Sequence, residues 1–258
     1  MCQLKSCLVL KDRVFCPDYD SHQSMLEELG IEDDYLHASK TFVRVELTPL
    51  DGVKSLMDPL SWWTLKVDQD IVPEWWDEKA DRQRVEEAVE AWRREHVFTE
   101  GKHIVKTEKV YAYGDAEIQV YNDATVTAFD RAVVKAYSNA KVYAFAKTTV
   151  ETVSNVPVEA YGDATVKAYG NAKVEASDRA TVEAYSNATV IASDRAVVKA
   201  YSNATVIAYD SAMVEAYNSV TVKAHGNAKV KAFNRVIVIY PEERKNIYPM
   251  GWTPKTHE

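Results

Sequence analysis

No run of about 18 apolar residues occurs in the 258-residue chain, so a membrane-spanning helix is not expected. The opening MCQLKSCLVLKDR has too short an apolar stretch for a secretory signal, and no small-residue cleavage site follows it. A cytoplasmic protein with no membrane partner is the expectation. Cysteine is scarce: Cys2, Cys7 and Cys16 are all near the N-terminus and have no CxxC spacing. That pattern suits a reducing compartment with free or buried thiols, and it offers too few ligands for a metal. An excess of basic charge is also missing. Residues 1–109 carry 15 basic and 23 acidic residues, a net of −8, whereas residues 110–240 carry 13 of each. The acidic first segment would repel nucleic acid, which disfavours a nucleic-acid partner.

Catalytic signatures are absent too. No GxSxG, HExxH, P-loop or dinucleotide-binding fingerprint occurs. His22, His37, His96 and His103 have no ligand-like spacing, and the carboxylates of DQD (68–70) and EWWDEK (74–79) read as a solvated acidic helix start. Cys2 would become N-terminal on loss of Met1, but Gln3 departs from the Met-Cys-Gly start of N-terminal-nucleophile amidotransferases. No catalytic residue, metal ligand or cofactor-binding residue is assigned, and no cofactor is expected.

What the sequence does have is a repeat. Residues 184–191 read AYSNATVI, and the same octet returns at 200–207 after the related ASDRAVVK. Val occupies every eighth position from 126 to 230 without an insertion or deletion, and Val110, Ile118 and Val238 extend the series. Ala generally stands two residues before and two after each Val. A helix at about 100° per residue would scatter these positions around its circumference. In an extended chain, Ala, Val and Ala alternate and point one way, and pairs such as Gly-Asp, Ser-Asn and Asp-Arg fall at corners. Each octet is therefore one strand plus one corner.

The sixteen-residue signal sets the coil. Every second corner carries Asn, at Asn139, Asn155, Asn171, Asn187 and Asn203, while the alternate corners carry Arg131, Lys147, Asp163, Arg179 and Arg195. Two strands and two corners thus make one coil, and stacked coils bring like positions to about 4.8 Å, close enough for amides to bond along the column. An outward position alternates in sign at each coil: Lys135, Glu151, Lys167, Glu183, Lys199, Glu215, Lys231. Opposite charges stacked this way attract, and a slip of one coil would bring like charges together. A third column reads Tyr121, Tyr137, Val153, Tyr169, Tyr185, Tyr201, Tyr217, Phe233, while the opposite strand is less regular, with Phe129, Phe145, Tyr161, Ser177, Ser193, Tyr209 and His225. Stacked rings shield a ladder at its corner, and Tyr137, Tyr169, Tyr185, Tyr201 and Tyr217 are also the candidate contact face. The array weakens at KTTVETVSNVPV (147–158), where Thr148, Thr152 and Val156 replace Ala and Pro157 removes a ladder donor. A tolerated irregularity or kink is expected there, with a binding notch as the alternative.

The first hundred residues have ordinary mixed patterning. LVLKDRVFC, TFVRVELTPL and WWTLKVDQ read as strands, HQSMLEELG as a short helix stopped by Gly30, and the stretch from Pro73 to about Phe98 as a long helix burying Trp75, Val85, Val89 and Trp92. The expected fold class is an all-β solenoid of about eight coils, two strands and sixteen residues each, preceded by a small α+β domain. The expected boundaries are 1–104 for an acidic capping domain, 105–240 for the solenoid and 241–258 for a C-terminal cap.

The octet [KEI]-A-Y-[GS]-[ND]-A-[TK]-V resembles the repeats of uncharacterised bacterial and phage-type β-solenoid proteins over residues 110–240. It is similar, more loosely, to the octets of bacterial ice-nucleation proteins, which would imply an ice-organising face. Those proteins present Thr-x-Thr rows, whereas here Thr189-Val-Ile191 and Thr205-Val-Ile207 break the row and the other strand carries Lys or Glu. The main expectation is a non-enzymatic scaffold or binding protein presenting a rigid flat face to a protein, either another protein or a second copy in a homo-oligomer. Ice binding, a DNA-mimicking inhibitor and an enzyme hidden in the N-terminal domain are the alternatives.

Overall fold

The computed structural model describes residues 4–50 and 56–240. Contacts divide the chain into two units, residues 1–132 and 133–258.

In the first unit, the polar run Lys11-Asp12-Arg13 turns the chain, and the Leu10 N–H donates to the Arg13 carbonyl at 2.8 Å. The single strand expected over LVLKDRVFC is therefore a hairpin of β1 (Lys5–Leu10) and β2 (Val14–Phe15). Helix α1 (His22–Leu29) begins where the Ser21 side chain accepts from the Ser24 N–H, and it ends at Gly30, whose φ of 65° suits a residue without Cβ. A single turn, α2 (Tyr35–Ala38), leads to β3 (Phe42–Pro49) and β4 (Trp63–Val67), giving an antiparallel sheet of order β2-β1-β3-β4. Strand alternation divides its apolar residues between two faces. Leu8 and Phe42 pack with Met25 and Leu26 of α1, whereas Cys7, Val9, Val43, Val45 and Leu47 pack with Val85, Val89 and Trp92.

Those last three residues belong to α3 (Glu78–His96), which starts five residues later than Pro73. The Asp77 side chain caps it by accepting from the Ala80 N–H, and Pro73 instead opens a turn whose carbonyl accepts from Trp76. Trp75 is thus off the helix, held by its indole N–H donating to the Lys40 carbonyl at 2.8 Å. From α3 the chain runs straight into β5 (Val97–Phe98), parallel to Lys109–Ala112, and β6 (Lys102–Val105), parallel to Glu117–Val120. Trp92, Val97 and Tyr113 share one buried cluster, with Tyr111 and Phe129 packed against it. The helix and the first coils of the repeat therefore have a common core.

From β5 onward both units carry a β-solenoid. Strands alternate between two parallel sheets, about nine turns in all, and the spacing is sixteen residues from Lys109 onward after steps of 14 residues at β5 and 15 at β6. The two short strands β5 and β6 extend the ladder ahead of the octets. In the second unit the register is unbroken: Val150↔Val166↔Val182↔Val198↔Val214↔Val230 in one sheet and Val142↔Val158↔Val174↔Val190↔Val206↔Val222↔Val238 in the other. Val and Ala fill the interior, and most have no exposed surface.

Each corner needs one residue in the left-handed region, and these fall at every eighth position from 114 to 234. Glycine occupies only Gly114, Gly162, Gly170 and Gly226; the others are Ser, Asp and Asn, with Ala146 at φ 57°. The Asp residues recover part of that conformational cost by bonding the neighbouring coil. Asp178 Oδ2 accepts from the Gly162 N–H at 2.9 Å, and Asp194 Oδ2 from the Asp178 N–H at 3.3 Å.

Residues 147–158 keep this register, with Glu151 paired to Lys135 and Lys167. Pro157 opens its strand, Pro157–Ala160, and gives up the bond that Lys173 N–H makes to the Val156 carbonyl one coil later. Thr148 and Thr152 stand fully buried in the Ala positions; Thr148 Oγ1 donates to the Phe145 carbonyl at 2.6 Å. The segment is an irregularity absorbed by the ladder. The tail 241–258, expected to cap the last coil, lies outside the described residues.

Candidate functional site

The corner that follows the Lys/Glu strand carries the tyrosine column. Because stacked strands repeat every coil, rings at sixteen-residue spacing lie over one another. Tyr169, Tyr185, Tyr201, Tyr217 and Phe233 stack with centroids 4.8–5.1 Å apart and planes within 10°. Val153 separates Tyr137 from this run. The four tyrosine rings are half-buried and Phe233 is exposed, and some hydroxyls are engaged within the strand: Tyr185 donates to Glu183 at 3.1 Å and Tyr217 to Glu215 at 3.5 Å. Desolvation, followed by the adjoining Glu183 carboxylate, pushes the Tyr185 phenol up to about 12. On the other sheet the bond to Glu159 at 2.7 Å pushes Tyr161 up to about 12 as well.

The charge column is in register at every step: Lys135↔Glu151, Glu151↔Lys167, Lys167↔Glu183, Glu183↔Lys199, Lys199↔Glu215 and Glu215↔Lys231. Lys167 Nζ approaches Glu183 at 4.0 Å and Lys231 Nζ approaches Glu215 at 3.5 Å. At the Asn corner, Asn171 Nδ2 donates to Asn155 Oδ1 at 3.3 Å and Asn187 Nδ2 to Asn171 Oδ1 at 3.4 Å. Asn203 follows in the same column, its N–H donating to the Ser186 carbonyl, and Asn139 precedes it. The alternate corner is ionic. Arg179 forks onto Asp163 at 2.7 and 2.9 Å, and Arg131 onto Asp115 at 2.9 and 3.0 Å. These guanidiniums hold both carboxyls below the usual carboxylate range. A cavity of ≈ 390 Å³ opens there, lined by Gly162, Asp178, Arg179, Asp194 and Arg195, and one of ≈ 150 Å³ adjoins Pro157.

Three groupings go beyond the sequence reading, in which Ile191 and Ile207 figure only as breaks in a Thr row. On the outer face of the sheet opposite the charge column, Ile191 pairs Ile207, Lys223 follows, and Ile239 ends the column. Thr189, Thr205 and Thr221 run beside it, with Tyr209 stacked on His225 at 4.7 Å. Ile191, Tyr209 and Ile239 are 37%, 40% and 41% exposed, so this strip presents open apolar surface, interrupted by Lys223. The octets do contain the signal: Ile stands where the neighbouring octets place Lys or Glu.

The second grouping is a thiol pair. Leu8↔Phe15 and Val9↔Val14 set the hairpin register, and one step further puts Cys7 opposite Cys16. A bond between the two thiols, with Lys5 assisting, lowers Cys16, whereas the same bond and burial push Cys7 up. Lys5 is itself buried, ion-paired to Asp20 at 2.8 Å and seated 4.8 Å from the Trp92 ring centroid. The third grouping joins one histidine to carboxylates distant in sequence: His22 meets Asp68 at 3.4 Å, with Glu46 beside them. The comparable set Glu32, Asp34 and His37 is explained by helix capping, since Asp34 accepts from the His37 N–H at 2.8 Å.

Among the described residues, no helix is long and apolar enough to cross a membrane. Compared with models of known protein families, with curated proteins and with solved structures, the chain matches none.

Proposed function

We propose that the chain is a non-enzymatic scaffold that binds a protein partner across the flat outer face of its solenoid. The observation that carries this reading is the apolar strip of Ile191, Ile207 and Tyr209 beside the Thr189–Thr205–Thr221 column. Apolar side chains held rigidly on a flat ladder lose little further entropy on binding, and an exposed patch of this kind is where association gains most. The opposite face is less suited to the task, because its charges are already matched in register and its tyrosines are half-buried in a stack.

Affinity capture with the intact chain tests the reading when it is compared with two variants. Ile191→Ser/Ile207→Ser removes the strip, and Tyr169→Ser/Tyr185→Ser/Tyr201→Ser/Tyr217→Ser removes the tyrosine column. Loss of a bound protein in the first variant and retention in the second is the expected result. Equal recovery from all three overturns the strip as the contact face. An ice-organising surface is the competing reading, favoured by the aligned rows Thr149–Thr165–Thr181 and Thr189–Thr205–Thr221. The column beside the first row is charged, and a flat thermal-hysteresis curve at high protein concentration removes that reading.

A further inference from the structure

His22, the first residue of α1, lies against the strand β3 with its side chain only 10% exposed. Its Nε2 is 3.2 Å from the Val45 carbonyl oxygen. A carbonyl can only accept, so Nε2 is the donor there, and Nδ1 is the ring nitrogen left to face the other way. Nδ1 lies 3.4 Å from Asp68 Oδ2, and the Glu46 carboxylate completes a set whose ligand atoms all lie within 4.8 Å of one another. Chain geometry fixes the set. Val45 and Glu46 are neighbours on β3, so one supplies the carbonyl and the other the carboxylate, and Asp68 is tied to the same strand by its N–H donating to the Arg44 carbonyl at 2.9 Å.

One imidazole nitrogen and two carboxylates thus converge from α1, β3 and the residue after β4 on a single point, where a cation is favoured. We propose that His22, Glu46 and Asp68 bind a divalent transition-metal cation of the Zn²⁺ type. Bonds of about 2.1 Å in a tetrahedral site place neighbouring ligand atoms about 3.4 Å apart, the separation already present between His22 and Asp68. One imidazole nitrogen with two carboxylates is a borderline donor set that favours zinc over magnesium, which prefers six oxygens. The bond from His22 to Val45 is the outer support that orients a ligating imidazole. Nearby cations leave the site usable: Arg44 is ion-paired with Asp33, and Lys66, opposite Glu46 in register, is exposed. Asp68 is 45% exposed, so a fourth position faces solvent.

The test is titration of the full chain with ZnCl₂ and with MgCl₂ in metal-free buffer, followed by calorimetry and thermal melting, and repeated with Co²⁺ for its absorption spectrum. The expected result is one equivalent of Zn²⁺ bound, a raised melting temperature, no matching response to Mg²⁺, and Co²⁺ bands without thiolate charge transfer. Asp68→Asn, at an exposed position that leaves the core intact, should weaken binding at least tenfold. His22→Gln should do the same, and His37→Gln, in the capping cluster, should leave it unchanged. Absence of saturable binding overturns the proposal. Binding that survives both Asp68→Asn and His22→Gln, or a thiolate signature with Co²⁺, overturns it equally.

Discussion

Replacing Lys167 with Glu tests whether the alternating column sets the register of the solenoid. In the ladder Lys167 has Glu151 on one side and Glu183 on the other. The substitution turns two attractive neighbours into two repulsive ones. Opposed charges on adjacent strands contribute about 0.2–1 kcal/mol per pair, and like charges cost a similar amount. Lys167 is half-exposed and its Nζ is 4.0 Å from Glu183, so solvent screening favours the low end of that range. Four such contributions sum to about 1–2 kcal/mol, which for a chain of this size is a fall in melting temperature of roughly 2–8 °C. Lys223→Glu is the matched control, because its register neighbours are Ile207 and Ile239, and it should change stability by less than about 0.5 kcal/mol. The assay is thermal unfolding at about 0.1 M and about 1 M salt, where the screening length falls from about 10 Å to about 3 Å. The Lys167→Glu deficit should shrink by more than half at high salt. A deficit equal to that of Lys223→Glu, or one indifferent to salt, refutes the column as an electrostatic register device.

Two corner glycines should respond differently to alanine. A Cβ at Gly114 would lie 2.8 Å from the Thr99 carbonyl oxygen, whereas at Gly226 its nearest contact is 3.5 Å. Both are left-handed, so each substitution costs about 1 kcal/mol of conformational energy, but Gly114→Ala should cost about 1–2 kcal/mol more in denaturant melts; equal costs would contradict the close approach. Tyr161 and Tyr185, both raised to about 12, keep their protons when an unfolded tyrosine near 10 has lost its own. Their contribution is therefore intact below about pH 10 and is lost as pH rises toward 12. Tyrosinate absorbance should show a late-titrating fraction in the folded chain that vanishes in urea, and a single midpoint near 10 in both states would deny it. Between the two described cysteines, Cys16 should react with iodoacetamide well before Cys7, as peptide mapping by mass would reveal. Faster modification of Cys7 would mean that the hairpin register is wrong.

The repeat was legible because its information is one-dimensional. Val every eighth residue, Asn every sixteenth and Lys alternating with Glu are each a column seen end on, and the pairings Lys135↔Glu151 to Glu215↔Lys231 follow from counting alone. Helix α1 was equally readable from its Gly30 stop. The start of α3 was not, because Asp77 competes with Pro73 as a helix start and only the capping bond to Ala80 decides between them. Cys7 with Cys16, and His22 with Glu46 and Asp68, were hidden for a different reason. Their partners are brought together by a turn or by sheet packing, and no period in the sequence encodes a turn at Lys11–Arg13 or the seating of α1 on β3. The Ile191–Ile207 strip was present in the octets, but two isoleucines between Glu175 and Lys223 form no period that marks the column as apolar.

Sign alternation also limits how the array can grow. Copying a single coil of sixteen residues would set Lys beside Lys or Glu beside Glu at the junction, whereas copying two coils preserves the order of the ladder. Lengthening or trimming by gene duplication is therefore electrostatically silent only in steps of thirty-two residues, two coils at a time.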